Sequence, residues 1–357
     1  NPAIDNLKRR VMAQHSTFMT IAKFKSSWNE DNTEYDLLFI DECSTVSNAD
    51  MKAILEKANF KLLVLVGDIF QIESILFGNW FDLTYSSNDF KNSIFELTTP
   101  YRSTNAKLIK VWDKVRNLDN DILEYLTSYG YSQNLDESVF HPLEKDEIIL
   151  CLNYDGLYGI NNINSFLQGS NPNLPIQWGI NTYKVNDPIL FNESDRFSPL
   201  IYNNLKGTIV GIEPMDDRIY FEIELNKVIN ELDAEVYDFE LLDNAINGNS
   251  VIRFSVSKRK STDEDDDFYS DSFVPFQVAY AISIHKAQGL EYSAVKIIIT
   301  NEVGELITHN IFYTAITRAK EHLKIYWSPE TENKVLGNFK SRDNKRDNAL
   351  LKAKYSN

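Results

Sequence analysis

The sequence predicts an α/β chain of two domains, each built on a mostly parallel sheet, with the second interrupted by an inserted β module. Three observations predict it. Short apolar runs at 36–41 and 61–66, bounded by Asp and Gly, have the unbroken hydrophobicity of strands buried on both faces of a parallel sheet. Further runs of this kind, at 147–153, 293–300 and 322–327, alternate with helical periodicity. Between them, residues 187–275 lack helical periodicity and are rich in β-branched and aromatic residues, as in GTIVGIE and RIYFEIEL.

Between the first two runs, SNADMKAILEKA (47–58) is amphipathic. Ser47 suits its N-cap, with the Asp50 carboxylate three residues on as the reciprocal partner. A strand-helix-strand unit of this type places its chemistry at the carboxyl ends of the strands. After ELTTPYRS (96–103), residues 104–118 read as a helix, EIILCLN (147–153) as a strand and INNINSFLQ (160–168) as the next helix. The expected domains are 1–97, then 98–186 and 276–357 as two parts of the second, with 187–275 inserted. The acidic run 261–271 is expected as a loop of the insert, and the polar stretch 340–357 as a fraying end.

Composition narrows the class. With 43% hydrophobic and 12% aromatic residues in 357, the chain can bury real cores, which excludes a disordered protein. No apolar run approaches the ~18 residues of a membrane span, and no signal peptide is visible, so no membrane partner is expected and the expected compartment is the cytoplasm. Two cysteines, Cys43 and Cys151, make neither a disulfide framework nor a zinc spacing. The net charge of −16 opposes nucleic-acid binding on average. Binding follows the local field, however, and the acids concentrate in 231–243 and 261–271. Lys8, Arg9, Arg10, Lys286, Arg318 and Lys320 lie near the segments that carry chemistry.

Four such segments stand out. LLFIDECS (37–44) ends a strand in Asp41-Glu42, and LLVLVGDIFQIES (62–74) ends the next in Gly67-Asp68-x-x-Gln71. An Asp-Glu pair after one strand is an ordinary way into a helix. A parallel neighbour ending in a tight turn and a long amide makes it a candidate for Mg²⁺ at Asp41 and a water-orienting base at Glu42. AYAISIHKAQGLE (279–291) breaks a small-residue strand into a loop with a free backbone glycine and charged side chains, suited to a phosphate. YTAITRAK (313–320) sets Arg318 among small residues on a helix, so that one planar cation projects into a cleft against developing phosphoryl charge.

In this order the four segments resemble motifs of the superfamily 1 helicases, closest to the RecD-like and UvrD-like C-terminal half, and the resemblance covers most of the chain. It implies two RecA-like domains of the P-loop NTPase type, the first incomplete, and an SH3-like β barrel at 187–275. It implies ATP and Mg²⁺ between the two RecA-like domains. Single-stranded DNA would cross over both, and hydrolysis would open and close the cleft to translocate 5′→3′ and unwind duplex. By resemblance Arg102 reaches the γ-phosphate from the second domain and Arg318 is the arginine finger. Asp68, Gly289 and Glu291 face the nucleotide, while Ser283 and His285 touch the nucleic-acid backbone. Pro2, Ala3 and Asn6 match the segment that lies along single-stranded DNA. Two positions depart from the pattern: Glu73 stands where the family often has proline, and Ser283 where it usually has threonine.

No G-x-x-x-x-G-K-[ST] phosphate loop occurs in the sequence. The expectation is a piece of a longer protein, inactive in ATP hydrolysis by itself. The alternatives are a translocase or remodeller that moves on DNA or RNA without separating strands, and a DNA-binding or assembly module that has lost its ATPase.

Overall fold

The structure, a computed structural model, describes residues 18–27, 34–74, 76–192, 196–198, 200–235, 237–242, 248–258, 273–340 and 344–355. Contacts divide the chain into two compact units, Asn1–Glu96 with Arg342–Asn357, and Leu97–Ser341. The C-terminal residues, expected with the second domain, thus belong to the first unit. Pro2, Ala3, Asn6, the basic residues at 8–10 and the run 261–271 lie outside the described residues.

In the first unit, β1 (Glu34–Ile40) pairs in parallel with β2 (Asn59–Leu65), Leu37 opposite Leu62 and Ile40 opposite Leu65. Helices α1 (Ile21–Ser27) and α2 (Asn48–Lys57) cover one face. Ser47 caps α2 as its sequence predicts, its hydroxyl accepting from Asp50 N at 3.0 Å and donating to the Asp50 carboxylate at 2.8 Å. Ile40, Cys43, Val46, Met51 and Ile54 form the core, with Phe24, Leu38, Leu63 and Leu65 against it. The opposite face departs from the expectation of strands buried on both sides. There Leu37, Phe39 and Leu62 are all more than half exposed, because the helices packed on this pair lie on the other face.

α3 (Trp80–Ser86) follows, its Trp80 indole donating to Val46 O at 2.7 Å. The polar C-terminus, expected to fray, instead forms a helix of this unit, α10 (Lys345–Tyr355). Asn79 donates to Asp347 at 2.9 Å and Asn344 to Asp82 at 2.5 Å, the latter carboxylate being buried.

The second unit carries a five-stranded parallel sheet of β3 (Ser132–Asn134), β4 (Glu147–Cys151), β13 (Ala281–Ser283), β14 (Tyr292–Ile298) and β15 (Ala319–Trp327). Its order is β13-β4-β14-β15-β3. Helices α4 (Ala106–Asn117), α5 (Ile122–Ser128), α6 (Ile160–Ser170), α8 (His309–Ile316) and α9 (Pro329–Gly337) belong to the same unit. The central strand β14 buries a lysine: Lys296 Nζ donates to Val139 O, His141 O and the Glu147 carboxylate at 2.9, 2.5 and 2.8 Å. That set closes the polar account of a cation with no solvent exposure.

A small hairpin of β5 (Ile176–Trp178) and β6 (Asn181–Tyr183) leads into the insert. The insert comprises β7 (Pro188–Phe191), β8 (Lys206–Pro214), β9 (Arg218–Leu225), α7 (Glu231–Ala234), β10 (Glu240–Leu242), β11 (Val251–Ser257) and β12 (Phe276–Val278). It forms an antiparallel sheet in the order β10-β11-β9-β8-β7-β12. The pairings run in a line from β10 to β12, where an SH3-like barrel was expected. First and last strands pair, Phe276 with Phe191, so the chain leaves the parallel sheet and returns to it at neighbouring points. Phe191, Phe221, Phe254 and Phe276 meet edge-on in the core of this module.

Candidate functional site

In the first unit the predicted residues gather at the carboxyl ends of β1 and β2. Val66 N donates to Ile40 O at 2.9 Å and Cys43 N to Val66 O at 2.8 Å, so the two strand ends carry their pairing into the loops. Asp41 and Glu42 are exposed there. Asp41 accepts the Glu42 backbone N–H at 2.8 Å. Glu42 lies in the left-handed region at φ 50, ψ 42, a conformation that costs a non-glycine residue about 1–2 kcal/mol. The fold holds it there because the next residues turn at once into a 3-10 helix, with Thr45 bonded to Glu42 O through both its N–H and its hydroxyl.

Gly67 is required by close approach: a Cβ added to it would stand 2.9 Å from the Phe81 ring and 3.0 Å from Cys43 N. Asp68 shapes the following turn, accepting from Phe70 N at 2.9 Å and from the Gln71 side-chain amide at 3.2 Å. Glu73 leaves this segment well anchored in the absence of the family's proline, since Ser74 N donates to Ser44 O at 3.1 Å. The Cys43 thiol behind the acids is pushed up to about 11 by burial, with the Asp41 and Glu42 charges adding to it. Among the described residues no three His, Cys, Asp or Glu side chains cluster as a metal site. An exposed carboxylate such as Asp41 is of the kind that Mg²⁺ takes, since that ion uses one or two carboxylates and completes its shell with water and phosphate.

In the second unit the fold joins three motifs that are far apart in sequence. Arg102 donates from NH1 to Thr317 O at 2.7 Å and pairs through Nε with the Glu291 carboxylate at 3.3 Å. Lys320 holds the other Glu291 oxygen at 2.7 Å. The Lys320 ammonium first, and then the Arg102 guanidinium, keep the Glu291 carboxyl below its ordinary range. In the sequence Lys320 stands out only as a basic residue. Its signal was its place two residues after Arg318, beside it in the same motif.

Arg318 corrects an expectation. It does not project from a helix: α8 ends at Ile316, and Arg318 is only 1% exposed. Its guanidinium turns inward, donating to Thr314 O at 2.9 Å, Leu290 O at 3.2 Å and the Thr317 hydroxyl at 3.2 Å. The small residues around it let the start of β14 close over it, with Tyr292 N donating to Arg318 O at 2.9 Å.

The loop between β13 and β14 supplies the remaining candidates. Ser283 accepts the Lys286 N–H at 3.1 Å, and His285 is exposed. Lys286 donates to the Gln277 side chain of β12 at 2.8 Å, and partial burial lowers its pKa. Gly289 sits at φ +77, where any L side chain is strained, and so makes the turn that delivers Glu291.

Residues 278–326 match the UvrD-like helicase C-terminal domain, and residues 5–137 match an AAA domain. Among curated proteins, an uncharacterized protein of Methanocaldococcus jannaschii is 24% identical, over 90% of this chain and 31% of the relative. The RecBCD enzyme subunit RecD of Mycolicibacterium smegmatis is 22% identical, over 89% of this chain and 56% of the relative. The chain therefore spans less than two thirds of either protein. Among solved structures, the Pif1 helicase from Candida albicans superposes with a TM-score of 0.56 at 16% identity, covering 89% of this chain and 76% of that one. The Pif1 helicase from Bacteroides in complex with ADP-AlF3 and ssDNA gives 0.53 at 17% identity, covering 90% and 76%. The fold is that of the RecA-type helicases, and in sequence the chain is similar to superfamily 1 helicases of the RecD-like kind.

Proposed function

We propose that this chain is part of an ATP-dependent DNA helicase that steps along single-stranded DNA, 5′→3′, and separates duplex. The observation that carries the reading is the meeting of Arg102, Glu291 and the Thr317–Lys320 segment in one charged cluster. In a phosphoryl transfer there is little covalent chemistry for a protein to do, so catalysis rests on placing such charges. Asp41 would hold Mg²⁺, which when bound would supply positive charge to offset that of the phosphate oxygens. Glu42 orients and deprotonates the attacking water, and Gln71 senses the γ-phosphate from the neighbouring strand end. Arg102 answers the charge that develops on the transferred group, and Arg318 joins it on a rearrangement that frees its guanidinium from Thr314 O and Leu290 O, while Asp68, Gly289 and Glu291 seat the nucleotide. Ser283 and His285 contact the DNA backbone, as do Pro2, Ala3 and Asn6, which lie outside the described residues.

No phosphate loop of the G-x-x-x-x-G-K-[ST] type is in the sequence, so residues 1–357 lack the amide cradle and lysine that fix the β- and γ-phosphates. The chain by itself is expected not to turn over ATP, whereas the full-length protein does so with DNA stimulation. ATPase and strand-displacement assays on both test this. Robust DNA-stimulated ATPase from residues 1–357 overturns the dependence on a separate phosphate loop. ATPase without strand displacement in the full-length protein reassigns it as a translocase.

A further inference from the structure

A lysine of the β module reaches the end of the loop between β13 and β14. Lys206, the first residue of β8, has a side chain 17% exposed and an ammonium with three donors. One donor meets the Asp146 carboxylate at 2.5 Å and another the main-chain oxygen of Glu291 at 3.0 Å. The charge also stands 4.0 Å from the centre of the Tyr292 ring, a cation–π contact with a buried aromatic. Asp146 is itself fixed, accepting from Ser293 N at 3.0 Å. Lys206 is anchored at its own backbone, where its carbonyl accepts from Asn226 N at 2.9 Å. A single cation thus ties the module to the turn from which Glu291 projects.

We propose that Lys206 is a positioning residue for the nucleotide site: by clamping the Glu291 carbonyl to β8, it sets where the Glu291 carboxylate stands against Arg102 and Lys320. The proposal rests on the reading of Glu291 as nucleotide-facing. It makes the inserted module a supporting wall of the site, since the Glu291 backbone is held on one side by Lys206, while Tyr292 N is held on the other by Arg318 O. Asp146 and Tyr292 restrict the ammonium to the direction in which the Glu291 carbonyl lies. A neutral side chain of similar length fills the space but cannot make the clamp.

The test is a double-mutant cycle in the full-length protein, read as KM and kcat for ATP. Lys206→Met is expected to raise KM about fivefold with kcat within about twofold. Glu291→Ala raises KM similarly, and adding Lys206→Met to it changes KM by less than about twofold. Lys206→Arg, which keeps the charge and the donors, returns KM to within about twofold of wild type. Where Lys206→Met does not fold, Lys206→Gln takes its place in the cycle. Effects of Lys206 and Glu291 that multiply, or an unchanged KM in folded Lys206→Met, overturn the proposal alone. Absence of any ATP turnover in the wild type overturns the functional reading and this one together.

Discussion

The Arg102 guanidinium donates to the main-chain oxygen of Thr317 at 2.7 Å across 215 residues of sequence. The residue bonded is the one just before Arg318, so the two arginines implied for the γ-phosphate share a single turn of backbone. Arg102 keeps the side of its guanidinium that faces Glu291, while Arg318 is spent on carbonyls beneath.

The packing role that Arg318 has and the finger role proposed for it can be separated by substitution. Arg318→Ala strips a buried donor from two main-chain carbonyls and is expected to cost the second unit about 2–4 kcal/mol. It also lowers kcat of the full-length protein about 10³-fold, as loss of an arginine finger does, with DNA affinity nearly intact. Arg318→Lys keeps one donor and a charge, and is expected to recover most of the stability and little of kcat. Native melting temperature together with native kcat in Arg318→Lys removes this residue from the reaction.

At Glu42 stability and function pull apart. Its left-handed backbone favours glycine, so Glu42→Gly is expected to be neutral or to stabilise by up to about 1 kcal/mol in chemical denaturation, while ATP turnover is lost. Glu42→Gln keeps the strain and the wild-type stability and loses turnover as well. Turnover that persists in both variants excludes Glu42 as the base.

Neither thiol should react in the folded protein. Burial pushes Cys43 up to about 11 and Cys151 up to about 12, which leaves about one thiolate in a thousand or fewer at pH 8. Ellman's reagent is expected to count no cysteines in the native chain within minutes and both after denaturation. Rapid labelling of one thiol under native conditions contradicts its buried environment.

His309 gives the second unit a pH dependence. Burial lowers its pKa from the ordinary 6.5, against the opposing pull of the Val115 carbonyl that its Nε2 contacts at 2.7 Å. The unfolded chain then takes up a proton near pH 6.5 that the folded chain refuses. Stability falls as pH drops from about 7 through the folded pKa. His309→Gln retains a donor for Val115 O and does not titrate, so urea midpoints at pH 7 and pH 5 should lie closer together than in wild type. An unchanged slope assigns the pH dependence to other groups.

The sequence showed what is local. Ser47 and Asp50 cap α2 from three residues apart, and β4, β14 and β15 stand where unbroken apolar runs predict them. What it hid is set by distant partners. Lys296 looks like an interruption of β14 until Glu147 and the carbonyls of Val139 and His141 come within reach. The inward turn of Arg318 depends on Leu290, and the helix at 345–355 on amide-carboxylate pairs with the segment 79–82. Nothing in the periodicity of a polar helix announces such partners. The Arg102–Glu291–Lys320 cluster was half visible, since each residue lay in a motif but no spacing joined them.

The uncovered side of the β1–β2 pair has a practical consequence. Leu37, Phe39 and Leu62 make an oily panel on a ribbon that is two strands wide among the described residues, and a ribbon of that width has hydrogen-bonding edges on both flanks. Expressed by itself, this smaller unit of the chain will behave as an adhesive. It will light up solvatochromic dyes, stick to hydrophobic resin and precipitate first as salt is raised. Replacing Leu37 and Leu62 with lysine or threonine would make it easier to handle without touching Asp41 or Glu42.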